Sequence, residues 1–391
     1  MSDQYLKELE VIFDNISKIP TVFNNTITNN TDVVKISQLT NELENKNKEN
    51  VELKLLLEQY KKELEYLKAN NIQIKINEIR LRTELLKIKG NVCVYCRIKP
   101  YNNLNIIQYN NNNIIINDKK FQVDKVFGPL SSQKDVFSEI EFFVDNIFAE
   151  YNLCIFSYGQ TGSGKTYTME GENKDGLIYQ IINKINSSLN NVKVKYNLKY
   201  IEIYNDHIID LFTGNEGQLQ MKNDKVEIKN VTEIITDNTH YIIEQIQKSI
   251  LNRKKCATNC NLQSSRSHAM LILNIQFNFE NHDNFKNSTL CLIDLAGSER
   301  IYNSNVKNIN LKETQNINKS LSTLGNVFTA IKNQELYIPF RESKLTYIMQ
   351  NYLKRNSQII LIININLEHI NETICSLRFA TKVSECNNHL K

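Results

Sequence analysis

Eight consecutive residues decide the fold: Gly159, Gln160, Thr161, Gly162, Ser163, Gly164, Lys165 and Thr166. They match the pattern G-x-x-x-x-G-K-[ST] and directly follow the apolar run Leu153–Tyr158, which has the composition of a buried strand. A loop without side chains lets backbone N–H groups surround phosphates, and the following helix directs its N-terminus at them. The stretch predicts a phosphate-binding loop, with Lys165 neutralising phosphate charge and Thr166 binding Mg²⁺.

Two further segments supply the partners that such a loop needs. Asp294 follows the apolar run Leu290–Ile293, where a carboxylate can hold Mg²⁺ through water, and Gly297 offers a bare backbone N–H to a γ-phosphate. The other segment places hydroxyls and a guanidinium just before a strand-like run: Asn261, Leu262, Gln263, Ser264, Ser265, Arg266, Ser267 and His268. Together with the loop, these segments indicate phosphoryl transfer.

The pattern after Gly90 predicts an α/β fold. Strand-like runs alternate with helical segments, which implies a mixed central sheet flanked by helices. Ile275 and Phe277 alternate with polar residues, as in a half-exposed strand, whereas Ile359–Ile363 is uninterrupted, as in a central strand. The predicted strands are Val92–Ile98, Leu153–Tyr158, Val192–Tyr204, Met270–Phe279, Leu290–Ile293 and Ile359–Ile363.

The region before Gly90 has the heptad pattern of a coiled coil. Twelve of sixteen a and d positions are apolar in the register Ile36, Leu39, Leu43, Lys46, Asn50, Leu53, Leu57, Tyr60, Leu64, Leu67, Asn71, Ile74, Glu78, Leu81, Leu85 and Ile88. Asn50 and Asn71 occupy a positions, which favours a parallel dimer. We expect a short flexible tail at 1–32, a stalk at 33–89, a globular domain at 90–386 and a terminus at 387–391. The alternative is an amphipathic helix folded back on the globular domain.

Composition excludes several classes of protein. The 391 residues contain no apolar run of membrane-spanning length, and Met1–Glu10 is polar rather than a secretory signal. Eight cysteines without such a signal indicate a reducing compartment. Cys93 and Cys96 have C-x-x-C spacing, but in a strand residues three apart point to opposite faces, which argues against a zinc site.

Positive charge is concentrated in one window. Residues 301–360 contain eight Lys or Arg and three Glu, a balance of +5 in a chain whose net charge is +4. A local basic field of this kind implies an acidic partner surface, although charge runs are also common on solvated faces.

The phosphate loop, S-S-R-S-H at 264–268 and D-L-A-G-S-E at 294–299 resemble the three phosphate motifs of the kinesin superfamily, and 97–100 resembles its R-x-R-P motif with Lys99 replacing the second Arg. The resemblance implies a P-loop NTPase motor domain with ATP and Mg²⁺ as ligands. It assigns Arg97, Pro100 and Tyr167 to adenine, and Asn261 to the nucleotide.

The same resemblance assigns the catalytic roles. Ser265 would approach the γ-phosphate and Mg²⁺. Arg266 and Glu299 would form a salt bridge that closes the site and orders the attacking water, and Glu299 would receive the proton through a second water.

The basic window resembles the kinesin segments that contact tubulin, which implies Lys312, Lys319, Arg341 and Lys344 as microtubule contacts. Arg341 and Lys344 could instead form internal ion pairs. Two departures from the family are expected to change how filament binding speeds ATP turnover: Lys354-Arg355 stands where Gly-Gly is usual, and Ile301–Asn310 lacks the usual glycine.

The direct join of the heptads to the first strand, at Lys89–Val92, resembles the minus-end-directed kinesin-14 branch, and the chain stops soon after the segment that resembles the last motor helix. We therefore expect a minus-end motor on cytoplasmic and spindle microtubules, paired through its stalk as a homodimer or with a non-catalytic relative. A slow nucleotide-binding crosslinker is the alternative. Membrane partners are not expected, and a P-loop enzyme acting on nucleic acid lacks a recognition motif for bases.

Overall fold

The computed structural model describes residues 30–101, 106–189, 193–259, 263–278, 285–299, 308–354 and 356–386. The chain divides into two units, residues 1–77 and 78–391. In the described part of the chain, no helix combines the length and apolarity that crossing a membrane requires.

The first unit is described as a single long helix. Helix α1 spans Asn30–Lys89 and continues into the second unit. It begins inside the predicted tail, and the rest of that tail lies outside the described residues. Its apolar heptad side chains from Ile36 to Leu81 are exposed in this single chain, for example Leu57 at 56% and Tyr60 at 61%. The helix itself is confirmed, whereas its pairing with a second helix stays a prediction.

The second unit contains fourteen described strands and seven further α-helices. The strands are β1 (Val92–Ile98), β2 (Ile107–Tyr109), β3 (Asn113–Ile116), β4 (Lys119–Gln122), β5 (Lys125–Phe127), β6 (Asn152–Tyr158), β7 (Lys193–Tyr204), β8 (His207–Asp210), β9 (Glu216–Lys222), β10 (Lys225–Lys229), β11 (Ile234–Thr236), β12 (His268–Asn278), β13 (Lys286–Asp294) and β14 (Ser357–Ile365). The helices are α2 (Gln133–Asp145), α3 (Lys165–Glu170), α4 (Leu177–Ser188), α5 (Thr239–Asn259), α6 (Asn308–Lys332), α7 (Lys344–Met349) and α8 (Ile370–Ser384).

Eleven strands form one mixed sheet in the order β10-β9-β8-β7-β12-β13-β6-β14-β1-β5, with β11 paired to β7. The strands β13, β6, β14, β1 and β5 are parallel neighbours, whereas the pairs from β10 to β13 are antiparallel. The remaining strands, β2 to β4, form a separate small sheet. Ligand sites in such folds form at the carboxyl ends of the parallel strands.

Alternate side chains of the central strands pack into two apolar cores, one on each face of the large sheet. Helices α6, α7 and α8 contribute to one core, and α2 to α5 contribute to the other. The tip of β6 is fixed by aromatic packing, because Tyr158 stacks on Phe379 of α8 with 4.1 Å between ring centroids. This contact positions the loop that follows β6.

The sequence predictions for the central strands are confirmed. All six predicted strands are present, and β14 is buried along its whole length. Ile275 and Phe277 are buried beside the exposed Gln276, as the alternation predicts. Cys93 and Cys96 belong to opposite cores and are free thiols, which agrees with the strand interpretation of their spacing.

Candidate functional site

The loop between β6 and α3 needs glycine at three places. Gly162 and Gly164 have φ angles of +75° and +99°, in the left-handed region that L side chains rarely adopt. At Gly159 a Cβ would overlap the backbone carbonyl oxygen of Asn364 in β14. The loop therefore folds closely over the sheet edge, as the motif predicts.

Lys165 begins α3 and is almost fully buried beneath the loop. Its Nζ donates hydrogen bonds of 2.9 Å to the carbonyl oxygens of Gly159 and Gln160. Burial lowers the pKa of Lys165, while the nearby carboxylates of Asp294 and Glu299 act in the opposite direction. The amine is thus held inside the loop, where it can neutralise a bound phosphate.

Thr166 and Asp294 bring two oxygen ligands together at the end of the parallel strands. The Thr166 hydroxyl donates to Asp294 Oδ2 at 2.7 Å, and Ser157 donates to Oδ1 at 3.1 Å. Oxygen donors of this kind suit Mg²⁺. In the described residues, the buried Ser163 hydroxyl and the Gln160 side-chain amide have no hydrogen-bond partner. These free polar groups and the glycine loop fit a phosphate with its cation.

Arg97 lies on another side of the loop, where several contacts hold its side chain in place. Its Nη1 donates to Gln133 Oε1 at 2.7 Å and to Thr168 Oγ1 at 3.0 Å, and its guanidinium lies 5.0 Å from the ring centroid of Tyr167. Burial lowers the pKa of Arg97, and Tyr167 opposes that effect. Tyr167 is 41% exposed, and Pro100, just after β1, is also exposed. Two of the three predicted adenine residues, Arg97 and Tyr167, are therefore in contact.

The predicted salt bridge between Arg266 and Glu299 is not formed in this structure. Arg266 Nη1 instead lies 3.1 Å from Glu313 Oε2 on α6. The Glu299 carboxylate accepts hydrogen bonds from the backbone N–H and hydroxyl of Thr161, at 2.8 and 2.5 Å. Each member of the predicted pair is thus held by a different partner.

The described parts of the two switch segments, 263–268 and 294–299, still meet at the loop. The Gly297 N–H, which we expected to reach a phosphate, donates to the Ser265 carbonyl at 2.8 Å. Ser298 N–H donates to the Gly159 carbonyl at 3.1 Å. Asn261 lies outside the described residues.

A buried ion network behind the loop was missed by the sequence analysis. Arg253 of α5 pairs with Glu202 at 3.0 Å and lies 3.6 and 3.7 Å from Glu170 and Asp294. Burial alone would lower the pKa of Arg253, but Asp294, Tyr200 and the other carboxylates outweigh it and raise that pKa. Arg253 lies outside the quoted motifs, so the sequence offered no signal beyond a charged residue in a helix.

His268 links both switch segments to α6. Its Nδ1 accepts a hydrogen bond from the Ala296 N–H at 3.0 Å, and its Nε2 lies 2.8 Å from Ser320 Oγ. Complete burial, together with Arg253 and Lys165, lowers the pKa of His268 to about 3. The imidazole is therefore neutral, with Nδ1 as acceptor and Nε2 as donor.

The predicted microtubule contacts lie on α6, on α7 and between them. Lys319 and Arg341 are exposed, Lys344 is half-buried, and Arg341 lies 5.9 Å from the ring centroid of Tyr347. Within the described residues none of these three makes an ion pair, so the alternative of internal pairing for Arg341 and Lys344 is wrong there. The side chain of Lys312, the residue Arg355 and most of segment 301–310 lie outside what the structure describes.

Comparison with known proteins gives one consistent family. The family model "Kinesin motor domain" matches residues 80–386. "Kinesin-like protein KAR3" of Saccharomyces cerevisiae is 36% identical over 401 residues, which cover 89% of this chain and 54% of that protein. "Carboxy-terminal kinesin 2" of Xenopus laevis is 37% identical over 352 residues, 78% of this chain and 55% of that protein. The chain thus spans about half the length of these relatives.

A solved structure agrees with the sequence relatives. It is described as the C-terminal motor and motor homology domain of Kar3Vik1 fused to a synthetic heterodimeric coiled coil. It matches with a TM-score of 0.79 at 34% identity, and covers 89% of this chain and 99% of that one.

Proposed function

Since the chain belongs to the kinesin motor-domain family, we propose that it hydrolyses ATP and converts the reaction into minus-end-directed force on microtubules. One observation carries the proposal: the glycine loop places Lys165, Thr166 and Asp294 together at the carboxyl end of β6 and β13. The small switch segments that reach this loop supply the residues that respond to a γ-phosphate.

ATP would bind along the loop, with its phosphates at the backbone N–H groups of 160–166. Its adenine would contact the side chains of Arg97 and Tyr167. Thr166 and Ser265 would be direct ligands of Mg²⁺, and Asp294 would hold it through water. Bound Mg²⁺ supplies charge neutralisation on the phosphate oxygens. Lys165 adds a fixed positive charge, and its burial strengthens that interaction by excluding water.

The protein's own contribution to hydrolysis is positioning. The Gly297 N–H would donate to the terminal phosphate, and the Ser265 backbone would lie beside it. Arg266 and Glu299 would order the attacking water. Because Arg266 and Glu299 have separate partners here, the switch segments must rearrange before they can act together.

Microtubules would bind across α6, α7 and the turn between them. Lys319, Arg341 and Lys344 have no ion-pair partner in the described part of the chain and are therefore available to an acidic surface. Binding of this type weakens as salt screens the charges. A filament bound in this way would contact α6, the helix that also carries Glu313 and Ser320. Both of these residues contact the switch segments.

The stalk would transmit force and pair with a second helix. Helix α1 ends at Lys89 and β1 begins at Val92, so few residues separate the stalk from the sheet. The exposed apolar a and d positions need a partner, which is a second copy or a non-catalytic relative. The short join favours a lever on the N-terminal side of the motor domain, and hence minus-end motion. We infer a role on cytoplasmic and spindle microtubules.

Gliding of polarity-marked microtubules on the N-terminally tethered chain tests this proposal. With ATP present, force toward the minus end is the expected result. Plus-end force would leave the ATPase assignment intact and overturn the lever assignment. Binding without motion or ATP turnover would favour the crosslinker, and tight DNA binding without microtubule binding would favour the nucleic-acid enzyme.

A further inference from the structure

Two acidic residues can compete for Arg266, and the structure shows which one holds it. Arg266 Nη1 lies 3.1 Å from Glu313 Oε2, and the two side chains are 34% and 9% exposed. Glu313 is thus well shielded from water, so its carboxylate depends on this partner for compensation. While the Arg266 guanidinium is paired with Glu313 in this position, it cannot also form an ion pair with Glu299.

Glu299 is held separately by the phosphate-binding loop. Both carboxylate oxygens accept hydrogen bonds from Thr161, one from its N–H and one from its hydroxyl. Gly297 passes between these groups, and a Cβ there would overlap the Thr161 hydroxyl and the Glu299 carboxylate. For Arg266 and Glu299 to pair, Arg266 must therefore leave Glu313, and Glu299 must leave Thr161.

Helix α6 is attached to the same region at two further points. Ser320 contacts His268 at 2.8 Å, and Asn316 donates to the side chain of Asn205 at 2.6 Å, in the turn between β7 and β8. Glu313, Asn316 and Ser320 are three or four residues apart and so share one face of α6. Lys319, an expected filament contact, is exposed on the same helix. A displacement of α6 would therefore act directly on Arg266 through its ion pair with Glu313.

We propose that Glu313 is a positioning residue that holds Arg266 away from Glu299, and that filament binding accelerates ATP turnover by releasing Arg266 from Glu313. The inference rests on the proposed motor function. On release, Arg266 exchanges the Glu313 carboxylate for the Glu299 carboxylate, so its positive charge keeps an acidic partner. The switch segments close only when the ion pair between Arg266 and α6 is broken. Glu313 does not touch the nucleotide and acts through Arg266.

The test is the variant Glu313→Gln, which keeps the side-chain shape and removes the charge. Steady-state ATP turnover is measured without microtubules and at saturating microtubules. We expect filament-free turnover to rise roughly fivefold, the effect of one partly exposed ion pair, with the saturated rate unchanged. The ratio of the two rates should fall by the same factor. Glu335→Gln removes an equal charge just after α6 and is the matched control, with no expected change in filament-free turnover.

A purely structural role of Glu313 predicts the opposite result. Loss of a structural contact would lower both rates together with thermal stability, and that outcome would overturn the proposal. An unchanged filament-free rate would overturn it as well. Glu313→Asp keeps the charge on a shorter side chain and should give an intermediate filament-free rate. If the unmodified chain hydrolyses no ATP even with microtubules, the proposed motor function fails, and the role of Glu313 fails with it.

Discussion

The buried His268 makes the stability of the motor domain fall in mild acid. Its folded-state pKa is about 3, against about 6.5 for an unperturbed histidine. Because the folded pKa is depressed, the unfolded chain binds the proton preferentially as the pH falls below 6.5, and stability is lost in the window between 6.5 and about 3. Each pH unit within that window costs about 1.4 kcal/mol.

Between pH 7 and pH 5, this one group should lower the free energy of unfolding by about 2 kcal/mol. The perturbation is His268→Gln, which leaves a neutral side chain with a donor and an acceptor. Urea unfolding of both proteins at the two pH values gives the assay. The variant should be less stable at pH 7 because it loses packing and the hydrogen bonds to Ala296 and Ser320, but the deficit should shrink by about 2 kcal/mol at pH 5.

The control is Ser320→Ala, which removes the hydroxyl contact and keeps the imidazole. It should retain the full loss of stability in acid. If the difference between the unmodified chain and His268→Gln is the same at both pH values, His268 takes up its proton in the folded state, and the reasoning is refuted.

Three further predictions concern the proposed activity. Glu299→Ala should abolish ATP turnover while ATP binding, measured with a fluorescent analogue, is retained; unchanged turnover would remove Glu299 from the mechanism. Asp294→Asn should weaken Mg²⁺ affinity at least about tenfold, because it removes the charged acceptor of Thr166, and a Mg²⁺ titration of nucleotide binding checks this. Lys319→Ala combined with Lys344→Ala should raise the microtubule Kd roughly fivefold at low salt, with a smaller effect at high salt in co-sedimentation, whereas an equal effect at all salt concentrations would argue against direct charge contacts.

The sequence predicted the central sheet and the phosphate loop because both depend on local patterns. Apolar runs fixed the central strands, and the glycine motif required a loop whose φ angles only glycine adopts readily. Strands β2–β5 and β8–β11 were missed because most are three to five residues long. So short a segment gives too few repeats of the period-two pattern to be distinguished from a loop.

The ion pairs of the site were less predictable, because they join residues far apart in the chain. Arg266 is 47 positions from its partner Glu313. Arg253 is 51 positions from its partner Glu202. Neither Glu313 nor Arg253 stands in a phosphate motif, and their roles follow from helix packing against the sheet. The family pattern named Arg266 and Glu299 as a pair, but a pattern of residues records no conformation, and their catalytic roles stay a prediction.

The choice between two partners gives Arg266 its mechanistic interest. The Arg266–Glu313 pair connects a switch segment to α6, while the Glu299–Thr161 hydrogen bonds connect the other switch segment to the phosphate loop. An Arg266–Glu299 pair would replace both connections with a single one between the switch segments. Closing the catalytic site and loosening α6 would then be one event, so the helix proposed to bind the filament could sense the state of the nucleotide, and the filament could change that state in return.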